Sequence, residues 1–127
     1  MPYPFRPAAT LIVVQAEVVG PHSTVLVDLA LDTGASTTIL SWTTAVAAGY
    51  DPGSVTPRRR VITGSGEEFC PLLTVQRLRA LGRSVDGLEI LCHDLPAQST
   101  VRGLLGLNFL NRFDLRINFK QGFITLR

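Results

Sequence analysis

The sequence predicts an all-β fold with one or two short helices. Three observations carry that expectation. Short apolar and β-branched runs recur from Leu11 to the end of the chain. Turn-forming Gly, Pro, Asn and Asp residues separate them. Only one stretch, SWTTAVAA at Ser41–Ala48, combines helical composition with a cap before it and a stop after it.

Taken in order, Leu11–Val19 is rich in β-branched residues and reads as a strand, followed by a turn at Gly20-Pro21-His22-Ser23. Thr24–Leu31, TVLVDLAL, alternates apolar with small or polar residues and reads as its hairpin partner. Asp32-Thr33-Gly34-Ala35-Ser36 then falls in a loop at a strand end, before a short strand at Thr37–Leu40. Ser41 is placed to cap the helix and Gly49 to end it. After a loop at Asp51-Pro52-Gly53-Ser54, Arg58–Thr63 and Phe69–Arg79 form a long hairpin with a tip at Gly64-Ser65-Gly66. Pro71 lacks an N–H, so it points to an edge position or an irregular start in the returning strand. Arg83–Cys92 reads as a strand interrupted near Asp86-Gly87, and Leu95–Ser99 as a loop. Val101–Leu105 is short and apolar, and Leu107–Asn111 fits one or two helical turns. Asp114–Phe119 and Phe123–Leu126 close the chain as a hairpin around Lys120-Gln121-Gly122.

A length of 127 residues fits one domain over 1–127. A hydrophobic fraction of 46% against 17% charged residues excludes a disordered chain. The net charge of +2, with Arg58-Arg59-Arg60 as the one basic cluster, argues against a nucleic-acid partner; the cluster reads as a solvated strand or loop end. Cys70 and Cys92 lack a metal-ligand spacing, and His22 and His93 stand alone in the sequence, so neither a metal nor a cofactor is expected. Both thiols read as core or near-core residues, and two cysteines make no disulfide framework, so a reducing compartment is the default. Met1–Thr10 lacks a signal-peptide pattern, and Leu11–Val14 is far too short to span a bilayer. A soluble, cytoplasmic chain without membrane contact is the expectation; the same residues also fit a piece of a longer, anchored protein.

The chemistry is concentrated in Leu29–Ser36. A carboxylate, Asp32, directly follows an apolar strand that places it at the wall of a core. Gly34 lets the chain turn tightly and bring backbone N–H groups toward that carboxylate. Thr33 and Ser36 add hydroxyls that can fix the loop or the carboxylate oxygens. Asp-Thr-Gly also serves as a plain Asx turn at a strand end, so the tripeptide alone does not decide the matter. Rival arrangements are poorer. Ser36, Ser41 and His93 lack the Gly-x-Ser-x-Gly turn, and the adjacent Cys92 and His93 would point to opposite faces of a strand.

With its flanks included, the chain resembles the retropepsin-like aspartic peptidases, and more their cellular, bacterial-type members than the compact viral ones, because of the helix at Ser41–Ala48. Asp32–Ala35 matches the family's Asp-Thr-Gly-Ala. Val61–Val75 resembles its flap, with Gly64–Gly66 at the tip, and Leu104-Leu105-Gly106 before Leu107–Asn111 resembles its late apolar-apolar-Gly signature. Phe123–Arg127 resembles its closing interface strand, so the likeness runs over Leu11–Arg127. Two positions depart. Ser36 and Leu107 stand where many viral members carry an Asp–Arg ion pair; losing both is coherent, since losing one would strand a charge.

The resemblance implies a closed, barrel-like half-domain completed as a homodimer. Aspartic peptidase chemistry needs two carboxylates around one water, and this chain has one Asp-Thr-Gly. The second catalytic group would be Asp32 of a twin subunit across a two-fold axis. Thr33 would bond across that axis, and Gly34 would contact the substrate backbone. Ile62, Thr63, Gly64, Ser65 and Gly66 would form the flap over a peptide or protein substrate. Leu31, Leu104, Leu105, Gly106 and Leu107 would supply the pocket. Two other readings stay open at this stage: a non-catalytic dimeric binding or scaffold module on the same fold, and an unrelated β-barrel with a chance Asp-Thr-Gly. Cleavage that depends on Asp32 separates the enzyme from both.

Overall fold

The structure is a computed structural model that describes residues 2–54, 57–64 (Thr63 by its backbone) and 66–127. β2 (Val13–Val19) and β3 (Thr24–Leu31) pair antiparallel around the expected turn, which Gly20 closes by donating to the Ser23 carbonyl at 3.0 Å. Period-two alternation sends Val14, Ala16 and Val18 of β2 inward. β8 (Gly103–Leu105) runs parallel to the end of β3, and β4 (Thr38–Leu40) lies antiparallel to β8 and parallel to β7 (Arg83–Cys92). β6 (Gly66–Ala80) pairs with β7 and, through Arg77–Ala80, with β2. The six strands β2-β3-β8-β4-β7-β6 therefore close on themselves. β5 (Arg58–Thr63) extends β6 beyond this barrel as the partner of its first half. A separate three-stranded sheet has the order β1 (Tyr3–Pro4), β10 (Phe123–Leu126), β9 (Leu115–Asn118).

The barrel is filled, not hollow. Leu29, Leu40, Leu78, Ile90, Leu105 and Phe109 are fully buried, each such side chain stabilising the fold by roughly 1.5–3 kcal/mol. α1 (Trp42–Ala48) forms as its ends dictate: the Ser41 hydroxyl accepts from the Thr44 N–H at 3.2 Å, and Gly49 stops the helix at φ +105°. A Cβ at Gly49 would also lie 2.7 Å from the His22 ring, so only glycine fits. α2 (Leu107–Leu110) is a single turn. No helix among the described residues is long and apolar enough to cross a membrane.

Three local features refine the sequence expectations. Pro71 sits where β6 changes partners: it lies opposite Arg58 of β5, and from Leu72 onward the strand pairs with β7. The missing N–H falls at that hand-over. β7 continues through Asp86-Gly87, but Gly87 adopts φ +63° and the opposing Gln76 N–H donates to the Tyr50 hydroxyl at 2.7 Å. The expected interruption is thus a kink within one strand. β1 was not anticipated, because two residues ending in proline carry no strand periodicity; Tyr3 pairs with Ile124 only after the chain ends meet.

Candidate active site

Asp32 directly follows β3. Its backbone is fixed before its side chain is: Leu31 donates to the Ile12 carbonyl at 2.9 Å and Asp32 to the Leu105 carbonyl at 3.0 Å. The Gly34 N–H then donates to Asp32 Oδ1 at 2.8 Å, and the Ala35 N–H to the Asp32 carbonyl at 3.3 Å. This orients the carboxylate inside its own turn. A Cβ on Gly34 would lie 3.1 Å from the same oxygen, which explains the preference for glycine there. Asp32 and Ala35 are half-buried, whereas Thr33, Gly34 and Ser36 are exposed.

The loop is held from behind by β4, β8 and α2. Leu107 donates to the Ala35 carbonyl at 2.8 Å and Asn108 to the Ser36 carbonyl at 3.2 Å, which satisfies two of the free N–H groups at the start of α2. The Asn108 side chain is the hub of this brace. Its Oδ1 accepts from both the N–H and the hydroxyl of Thr38, at 2.9 and 2.8 Å, and its Nδ2 donates to the Glu89 carbonyl at 2.6 Å. The Thr38 hydroxyl, fully buried, also accepts from Gly106 at 3.1 Å. Two glycines allow this packing. A Cβ at Gly106 would sit 2.8 Å from the Ala35 carbonyl oxygen, and one at Gly103 only 2.0 Å from that of Ile39.

Of the residues expected to line a pocket, Leu31 and Leu104 are half-buried and Leu107 is 37% exposed. Leu105 and Gly106 differ. The Leu105 side chain is fully buried in the core and offers no surface to a ligand, because alternation along β8 points it into the barrel; buried Gly106 acts through its backbone. In the hairpin of β5 and β6, Ile62 is 77% exposed and Gly64 and Gly66 are also exposed, while Ser65 lies outside the described residues. Arg59, at the base of this hairpin, donates to the Thr37 hydroxyl at 3.0 Å and so ties hairpin to loop.

Asn108 and Thr38 were not singled out by the sequence, and Arg59 only as part of a solvated basic cluster, since each acts across a long chain separation. Gly103 did carry a signal, being a glycine inside an apolar strand, where close backbone approach is the usual reason. His93, isolated in sequence, is not isolated in space: its Nδ1 lies 3.4 Å from Glu68 Oε2 and 3.7 Å from Cys70 Sγ. Burial pushes the Cys70 thiol up, with Glu68 adding to the rise and Arg58 opposing it. Burial, with Asp94 and Cys70 adding, pushes Cys92 up to about 12. Neither thiol is an activated nucleophile.

A family model described as aspartyl protease matches residues 14–109. The structure is similar to that of a retropepsin-like aspartic protease from Rickettsia conorii, with a TM-score of 0.75 and 23% identity over 99% of this chain and 88% of that one. No curated protein matches the sequence. The family match takes in the Asp32 turn together with β4, β8 and most of α2 that hold it, and the closed barrel is similar in structure to a solved member of that kind: the chain belongs to the aspartyl protease family and has a retropepsin-like fold.

Proposed function

We propose that this domain is an aspartic endopeptidase whose active site is completed by a second copy of the chain, with Asp32 contributed by each. One observation carries the reading: Asp32 is a half-buried carboxylate oriented by the Gly34 N–H and flanked by exposed Thr33 and Gly34, which is what one half of a two-carboxylate site needs. A single Asp-Thr-Gly in the chain leaves the other half to a twin.

The chemistry follows from bringing two such carboxylates together. At about 3 Å apart both cannot ionise cheaply, so they share one proton, and their apparent pKa values belong to the pair. The ionised member takes a proton from a bound water as its oxygen attacks the peptide carbonyl carbon. The protonated member donates to the carbonyl oxygen, giving a tetrahedral diol. Collapse of the diol reforms the carbonyl, breaks the C–N bond and delivers a proton to the departing amine. The hairpin of β5 and β6 would close over the peptide and exclude water, and its free edge can pair with an extended chain as an added strand.

The test is cleavage of a mixed peptide library by the parent and by Asp32→Asn, at about pH 4.5 and about pH 6.5, read by mass spectrometry. Fragments from the parent alone are expected; equal fragments from both sink the proposal. Adding excess Asp32→Asn to the parent separates a shared site from a private one. Shared sites lose activity as mixed dimers form, whereas a monomeric enzyme is unaffected.

A further inference from the structure

We propose that Glu68, Cys70 and His93 form a binding site for a borderline-soft divalent cation, with Zn²⁺ as the occupant that their chemistry fits. Glu68 and Cys70 are two residues apart on β6 and so face the same way. His93 follows the last residue of β7, and its N–H is fixed to the Leu40 carbonyl at 3.0 Å. One carboxylate oxygen, one sulfur and one ring nitrogen thereby lie within 4.8 Å of one another.

Two features favour an ion over a hydrogen-bonded relay. A nucleophile–base–acid relay needs the imidazole to bridge, with the carboxylate on one nitrogen and the thiol on the other. Here both neighbours converge on the same atom, Nδ1, at 3.4 Å from Glu68 and 3.7 Å from Cys70. Those separations are also what tetrahedral coordination requires. Bonds of about 2.0–2.3 Å to N, O and S place neighbouring ligand atoms about 3.3–3.8 Å apart. The cluster opens on a pocket of about 350 Å³ lined by Trp42, Arg58, Phe69 and Cys92, which leaves room for water as a fourth ligand. The carboxylate and a metal-bound thiolate carry two negative charges, which balance the ion despite Arg58 nearby.

The site's place in the fold gives it a consequence. Glu68 belongs to the projecting hairpin, opposite Val61 of β5, while His93 directly follows β7 of the barrel. A bound ion would pin the base of the hairpin to the barrel.

Titrating the metal-free protein with Co²⁺ tests this directly and needs no catalytic activity, so its outcome is independent of the peptidase proposal. One Co²⁺ per chain is expected, with thiolate-to-cobalt charge-transfer absorption that Zn²⁺ abolishes on displacing it. Cys70→Ser should remove that absorption, and Glu68→Gln and His93→Gln should each weaken binding by about tenfold or more. Cys92→Ala and His22→Gln, checked for folding by circular dichroism, should leave it intact. Absence of the thiolate band in the parent, binding indifferent to the three ligand substitutions, or binding that follows Cys92 or His22 would each overturn the assignment.

Discussion

The Asp32 turn and the hairpin of β5 and β6, the two halves of the proposed site, are built on opposite principles. The turn is short and over-determined. Each residue from Asp32 to Ser36 is within one or two positions of a hydrogen bond to β8 or α2, and behind it lie fully buried Thr38 and Leu105. The hairpin is long and, apart from the Arg59–Thr37 hydrogen bond and the Glu68–His93 contact, rests on its own ladder. Among the described residues from Arg58 to Phe69 no side chain is buried in the core, and the first buried one is Cys70. The difference teaches where precision is needed. A carboxylate must be held within a fraction of an ångström, and burial supplies that; a cover must open and close, and a segment stabilised mainly by its own exposed ladder can do so at low cost.

Four substitutions bear on that contrast, in falling order of effect. Asp32→Asn should lower kcat/KM for peptide cleavage by about 10³-fold or more while leaving the melting temperature nearly unchanged, since an amide oxygen still accepts from Gly34. Gly103→Ala should destabilise by about 3 kcal/mol in urea unfolding, because its Cβ meets the Ile39 carbonyl oxygen in a strand that cannot shift. Asn108→Ala should cost about 2 kcal/mol by leaving the N–H of buried Thr38 without its acceptor, and should lower kcat more than it raises KM as the turn loosens. Ile62→Ser, on the hairpin, should reverse the pattern: stability within about 0.5 kcal/mol of the parent, with KM raised several-fold. Equal stability losses at Asn108 and Ile62 would erase the distinction between the two regions.

A pH effect lies outside both regions and calibrates them. The hydrogen bond from Arg77 holds the Asp86 carboxyl below its ordinary range. A depressed folded value means the pair contributes above the unfolded pKa and loses its contribution as pH falls through the folded one. Both side chains stay in contact with water, 42% exposed for Arg77 and 67% for Asp86, so Asp86→Asn should leave the urea midpoint unchanged in physiological salt.

Much of the architecture could be read from local signals. Ser41 and Gly49 bracketed α1 correctly because a cap and a left-handed stop are properties of single residues. The alternation in β2 and β3 placed the hairpin, and with it the loop that carries Asp32. Barrel closure was not legible in that way. It depends on Ala16–Val19 meeting Arg77–Ala80, a pairing about sixty residues apart with no local signature. The site divides along the same line. Asp32 and Gly34 announce their interaction by being two residues apart, whereas Asn108 meets Thr38 across seventy positions. Leu105 shows the remaining hazard, since in a three-residue strand a shift of one position decides between cleft and core.

Barrel closure removes the open borders of the sheet that aggregation exploits, but β5 still has one, for among the described residues it pairs with β6 alone. Three exposed arginines, Arg58, Arg59 and Arg60, occupy the first half of that border, and Val61 and Ile62 follow without charge. A second chain laid along the arginine half would have to dehydrate guanidinium groups, and strand-to-strand polymerisation is discouraged there. The uncharged half imposes no such toll. The same border is thus guarded against self-stacking at one end and, under the proposed function, left open to an extended peptide at the other, so that two opposite demands on an edge fall on adjacent residues of one strand.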